Sequence, residues 1–106
     1  MVINSNVFYV ASENIVYICW EKVPGLVSYR IYRDGQDVTE RIGQQIRPYE
    51  FDNDHHTELY KPATRNWLYV KDRDINKLTK YSYKIVGESS RTVEAYESLE
   101  TEVKTE

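Results

Sequence analysis

Both histidines of the chain sit side by side in Asp52-Asn53-Asp54-His55-His56, between Glu50 and Glu58. Imidazole nitrogens and carboxylate oxygens are ligands for zinc and other divalent ions. Adjacent side chains point apart in an extended chain, however, and no distant third ligand falls at a recognisable spacing. A calcium loop is not encoded either, because the Asp-x-Asp-x-Asp-Gly run and its closing Glu are missing. The stretch reads as a solvated polar loop, and neither a metal nor a cofactor is expected.

Nucleophilic chemistry fares no better. Cys19, the one cysteine, falls in mid-strand, where a buried thiol is usually inert. Ser89-Ser90 lacks the Gly-x-Ser-x-Gly elbow that would expose a serine. Acids are plentiful, but abundance alone does not make the carboxylate pair of glycoside cleavage. No catalytic residue is expected, and the chain is read as a non-enzyme.

Aromatic side chains make the stronger signal. In Asn14 to Glu21, alternation puts Val16, Ile18 and Trp20 on one face and Tyr17 and Cys19 on the other. In Asn66 to Lys71, Leu68 and Val70 share one face, and Trp67 and Tyr69 share the other. If the Trp20 and Val70 faces turn inward, then Tyr17, Cys19, Trp67 and Tyr69 gather outside. Clustered outward aromatics mark contact surfaces. A slip of one residue in either strand would reverse this assignment. The residues leave open whether the patch is free or covered by the middle of the chain or a neighbouring domain.

The elements that position these residues are strands. The chain has 106 residues, ten of them Tyr and two Trp, with a net charge of −3. This is one domain's length, enough to bury about 65% of the unfolded surface. A basic face for nucleic acid is not expected at this charge. Without a run of about 18 apolar residues, no membrane insertion is expected. The N-terminus MVINSNVFYV has neither the basic region nor the apolar core of a signal peptide. Met1 fits both a start codon added to an excised domain and the true start of a protein that is not exported by a cleaved signal.

Strands are predicted over Asn6 to Ala11, Asn14 to Glu21, Val27 to Arg33, Asp37 to Ile42, Asn66 to Lys71, Lys80 to Gly87 and somewhere within Thr92 to Lys104. Pro24-Gly25 and Asp34-Gly35 supply turns between them. Tyr29 and Ile31 share a face, as do Tyr81, Tyr83 and Ile85. Residues 43–64 hold two of the three prolines and both histidines, and read as a long irregular connection with a short strand near Arg47 to Phe51. Short strands at regular spacing define a β-sandwich or barrel.

The order of these signals resembles the fibronectin type III domain, in a bacterial or phage-type member. The resemblance rests on Trp20, then Pro24-Gly25, then Tyr29-Arg30-Ile31-Tyr32-Arg33, and on Val70 to Ile75. Thr79-Lys80-Tyr81-Ser82-Tyr83-Lys84-Ile85 resembles the tyrosine corner, whose hydroxyl bonds backbone a few residues upstream. Glu97 to Thr105 looks like the closing strand. The resemblance covers roughly residues 6–105 except 43–64, and the usual Pro-Gly before the corner is Lys77-Leu78 here. It implies a seven-stranded immunoglobulin-like sandwich over residues 1–106. Arg33-Asp34-Gly35 scrambles the integrin-binding order of one family member, and the hairpin turn accounts for it fully.

By this resemblance the chain is a non-catalytic spacer or protein-interaction module of a larger bacterial extracellular or cell-surface protein. Two alternatives stand beside it: a phage tail or virion domain, and a carbohydrate-contacting accessory domain of a polysaccharide-degrading enzyme. An excised domain and a virion or intracellular setting are both compatible with the lack of a signal peptide. The partner is expected to be a protein, a glycan or neighbouring domains. The contact surface is expected to join Tyr17, Trp67 and Tyr69 to Tyr49, Phe51 and Tyr60 of the middle connection.

Overall fold

The computed structural model describes residues 2–26, 28–42, 47–48, 67–89 and 96–106. The candidate metal stretch 50–58 and the aromatics Tyr49, Phe51 and Tyr60 lie outside them.

Strands β1 (Val2–Ile3), β2 (Ser5–Val10), β3 (Ile15–Glu21), β4 (Ser28–Arg33) and β5 (Gln36–Asp37) come first. Helix α1 (Thr39–Ile42), β6 (Arg47–Pro48), β7 (Trp67–Asp72), β8 (Lys80–Glu88), β9 (Tyr96–Ser98) and β10 (Thr101–Lys104) follow. They form two sheets. The smaller runs β2-β3-β7-β6, and the larger runs β1-β9-β8-β4-β5 with β10 also paired to β8. Among the described residues the chain is therefore all-β apart from one helical turn.

The turn residues act as their types require. Pro24-Gly25 closes a turn in which the Leu26 N–H donates to the Val23 carbonyl at 3.3 Å, with Gly25 at φ 88°. Asp34 at 51° and Gly35 at 80° join Arg33 to Gln36, the two positive φ values of a type I′ hairpin. The β2–β3 hairpin closes through Asn14 at φ 55°, whose side-chain oxygen accepts from the Tyr9 hydroxyl at 2.7 Å. Asn14 thus belongs to the turn rather than to the strand.

Between the sheets lies one apolar core. It contains Val16, Ile18, Trp20, Tyr29, Ile31, Val70, Tyr81, Tyr83 and Ile85, the faces that alternation assigned inward. Gly87 in β8 has its own packing reason. A Cβ there would run into the Leu26 side chain, with Ile3 Cδ1 at 3.4 Å.

Two local features depart from the predicted strands. Asp37 to Ile42 is a two-residue strand followed by a helical turn. The Asp37 carboxylate accepts from the Thr39 N–H at 3.0 Å and the Thr39 hydroxyl at 2.7 Å, and the Ile42 N–H then reaches the Val38 carbonyl at 2.9 Å. These bonds from the Asp37 carboxylate to Thr39 hold a turn where Val38 and Thr39 would otherwise favour a strand. The closing strand is split. Glu97 pairs with Val86 and Thr101 with Tyr83, so residues 98–100 oppose only 84 and 85, a β-bulge. Ser98 fills the gap by accepting the Ile85 N–H at 2.8 Å.

Candidate functional site

The outer face of the smaller sheet carries the residues singled out from the sequence. In the register, Tyr17 lies opposite Phe8 on one side and Lys71 on the other, and Cys19 lies opposite Asn6 and Tyr69. Val10, Ile15, Tyr17, Cys19, Trp67 and Tyr69 form a second apolar cluster, with Phe8 packed against it. The rings of Phe8 and Tyr17 stack in parallel at 5.1 Å, and Tyr17 and Tyr69 stack at 6.4 Å. The Lys71 ammonium stands 5.3 Å from the Tyr17 ring centre, a cation–π contact.

This face is not open. Tyr17 is 1% exposed, Tyr69 4% and Trp67 8%. The fold brings the three together as alternation requires, and it covers them. Phe8, Val10 and Ile15 belong to the same face and went unremarked in the sequence, although the alternation of Asn6, Phe8 and Val10 carried the signal.

A second constellation was not singled out from sequence. Arg33 and Asp72 both project into the core end of the sandwich, and Asp72 is fully buried. Arg33 Nη1 donates to Asp72 Oδ2 at 2.7 Å and to the Asp74 carbonyl at 2.8 Å. The Tyr83 hydroxyl donates to the same Asp72 oxygen at 2.6 Å, and the Asp74 N–H donates to Asp72 Oδ1 at 3.0 Å. The guanidinium also lies 5.3 Å from the Tyr81 ring centre, and Asp74 takes a further bond from Arg41 at 2.7 Å.

Burial, with the bond to Asp72 and its charge adding to it, pushes the Tyr83 hydroxyl far above the ordinary tyrosine range. Burial works against the Arg33 charge, but the bond to Asp72 and its charge hold the guanidinium pKa above its usual value. The signal was legible. Arg33 shares the parity of Tyr29 and Ile31, and Asp72 that of Leu68 and Val70, so opposite charges enter the core from facing sheets. The arrangement clamps β4, β7 and β8 together.

Two tyrosine hydroxyls hold turns. The Asn76 N–H donates to the Tyr81 hydroxyl at 2.7 Å, the bond expected for a corner at this position. The Val23 N–H donates to the Tyr29 hydroxyl at 2.8 Å. Trp20 is also fully buried, tilted against Tyr29 at 5.4 Å, and its indole N–H has no hydrogen-bond partner. Among the described residues no group of three or more His, Cys, Asp or Glu side chains is placed to hold a metal ion.

Comparison of the chain with protein-family models, with curated proteins and with solved structures finds no significant match to any of the three.

Proposed function

We propose that the chain is a non-catalytic β-sandwich module of the fibronectin type III kind, serving as a spacer or protein-interaction unit of a larger bacterial extracellular or cell-surface protein. The observation that carries this reading is the bond from the Asn76 N–H to the Tyr81 hydroxyl at 2.7 Å, the geometry of a tyrosine corner. Trp20 packed between the sheets and β3 beside β7 opposite a β5-β4-β8 sheet support the same kinship. Among the described residues, several side chains with recognisable chemistry are committed to holding the fold. Arg33, Asp72 and Tyr83 bond one another, and the outer aromatics are packed away, which favours a rigid module over a catalyst. It also lowers the carbohydrate-contacting alternative, since stacking on a sugar needs an open ring face, and Tyr17, Trp67 and Tyr69 present none.

The test is replacement within the parent protein. Residues 1–106 are exchanged for an unrelated sandwich module of equal length, and the parent's surface attachment and partner capture are measured. A spacer leaves both intact, and an interaction module loses partner capture alone. Hydrolytic or transferase activity residing in the isolated chain would sink the reading.

A further inference from the structure

The turn that enters β8 combines features that stability alone would not select. Leu78 holds φ 55° with 80% of its surface exposed. A positive φ in a turn suits glycine or asparagine, so a leucine there is strained as well as wet. Lys80 and Lys104 then stand directly opposite one another across β8 and β10, and like charges so placed repel. Lys77, Lys80 and Lys104 are all exposed, and among the described residues none of the three makes an ion pair. Glu102, two residues back on β10 and opposite Ser82, pairs with neither strand lysine.

The pairing brings the two lysines close. The Thr105 N–H donates to the Thr79 carbonyl at 2.9 Å, so Thr79 and Thr105 are the bonded pair and Lys80 and Lys104 the non-bonded one. Non-bonded partners are the nearer kind, with Cα atoms about 4.5 Å apart. Lys80 has the parity of Ser82, opposite to the core face of Tyr81 and Tyr83. The turn itself is braced from both sides. The Asn76 N–H donates to the Tyr81 hydroxyl at 2.7 Å. The buried Thr105 hydroxyl accepts from the Thr79 N–H at 3.0 Å and donates to the Asn76 carbonyl at 2.6 Å, bridging the two ends of the turn. Leu78 is thus presented on a held turn, which lowers the ordering cost of any contact made through it.

We propose that this end of the sandwich docks an acidic protein segment: Leu78 enters an apolar pocket of the partner, and Lys77, Lys80 and Lys104 meet carboxylates around that pocket. The occupant follows from charge. Three ammonium groups without partners in the chain flank one exposed apolar side chain, on a protein whose net charge is −3, so the patch opposes the sign of the whole. An apolar centre within a charged rim is the layout of a protein contact. Carboxylates supplied by the partner also relieve the Lys80–Lys104 repulsion, which gives binding a gain that the free chain lacks. This assignment rests on the interaction-module reading and supplies its contact surface. The contact is small, so a single segment binds weakly.

Amide proton–nitrogen spectra of the chain, titrated with short synthetic peptides in which Asp and Glu flank one Leu or Phe, test the surface. The same peptides with Lys in place of the acids, and phosphatidylserine vesicles, are the comparison probes. The expected result is that acidic peptides shift the amides of Lys77, Leu78, Lys80 and Lys104, with affinity falling about five-fold from low to physiological salt. Leu78→Gly should weaken binding about ten-fold while thermal stability is kept or raised, a split that a purely structural role would not produce. Lys80→Gln with Lys104→Gln should weaken it about ten-fold with the β-sheet spectrum intact, and carries the test should Leu78→Gly disturb the turn. No shift at these amides with any acidic peptide overturns the proposal, as do equal binding of the Lys peptides, full affinity in both variants, or binding to vesicles in place of acidic peptides. The same substitutions in the parent protein separate two failures. Partner capture that survives them but not exchange of the whole module overturns this surface alone, and capture that survives the exchange overturns the interaction reading with it.

Discussion

Removing the Asp72 carboxylate should cost this protein more than any other single polar change. Asp72→Ala deletes three bonds at once, from Arg33, Tyr83 and the Asp74 backbone N–H, at a side chain with no exposure to solvent. What matters more is the cation left behind. Arg33 is 9% exposed and would keep the Asp74 carbonyl at 2.8 Å, the more distant Asp74 carboxylate at 3.6 Å, the neighbouring Tyr83 hydroxyl and the Tyr81 ring. Breaking a buried pair from one side costs about 3–5 kcal/mol. The residual partners of Arg33 place Asp72→Ala near the lower end, about 3 kcal/mol. That is a large share of a domain's usual stability of roughly 5–15 kcal/mol.

Tyr83→Phe, which leaves the ion pair whole, should cost only about 1–2 kcal/mol. The pair itself is a different quantity. Arg33→Met combined with Asp72→Leu removes both charges together, and replacing a buried pair with apolar groups is often neutral or better. The double variant should therefore recover most of the loss in Asp72→Ala. Urea unfolding of the four proteins, with free energies from linear extrapolation, measures each difference. An Asp72→Ala protein within about 0.5 kcal/mol of the parent, or a double variant less stable than Asp72→Ala, would refute the reasoning.

Three further outcomes follow from named contacts. Tyr81→Phe should cost about 1–2 kcal/mol in urea unfolding by orphaning the Asn76 N–H, and Tyr32→Phe on the outer face should change little; equal losses would contradict the corner. Leu78 holds φ 55° at 80% exposure, so Leu78→Gly loses no packing and should raise stability by about 0.5–1 kcal/mol net of glycine's chain entropy; a lowered melting temperature would speak against strain there. The raised Tyr83 pKa makes its contribution fully present below the unfolded tyrosine value of about 10, and lost as pH rises from there toward the folded value. Stability measured across that alkaline range should fall more shallowly in Tyr83→Phe, and parallel curves would remove Tyr83 from the account.

Local chemistry alone determined a good part of this protein. The parity of β3, β4, β7 and β8 was legible because the side-chain period of a strand is fixed at two and one face of each pair had to be buried. Asp34-Gly35 and Pro24-Gly25 were legible because few residues accept the φ values those turns need. The Tyr81 hydroxyl was expected to bond backbone a few residues upstream, and the Asn76 N–H donates to it at 2.7 Å. The helical turn after Asp37 was written in the same local chemistry, in a carboxylate that takes both Thr39 donors, but so short a signal is hard to read among β-branched residues.

Other properties waited for the tertiary structure. Parity says that Tyr17, Trp67 and Tyr69 share a face but is silent on what lies over them, since covering is a contact between segments far apart in sequence. Only the packed fold makes that face a second apolar cluster. The meeting of Arg33 with Asp72 likewise required β4 and β7 to approach from opposite sheets across 39 residues of chain. Spacing could send both charges inward, but the register of two sheets decided that they would find each other. The split of the last strand also belongs to that level, because a bulge exists only relative to the strand it opposes.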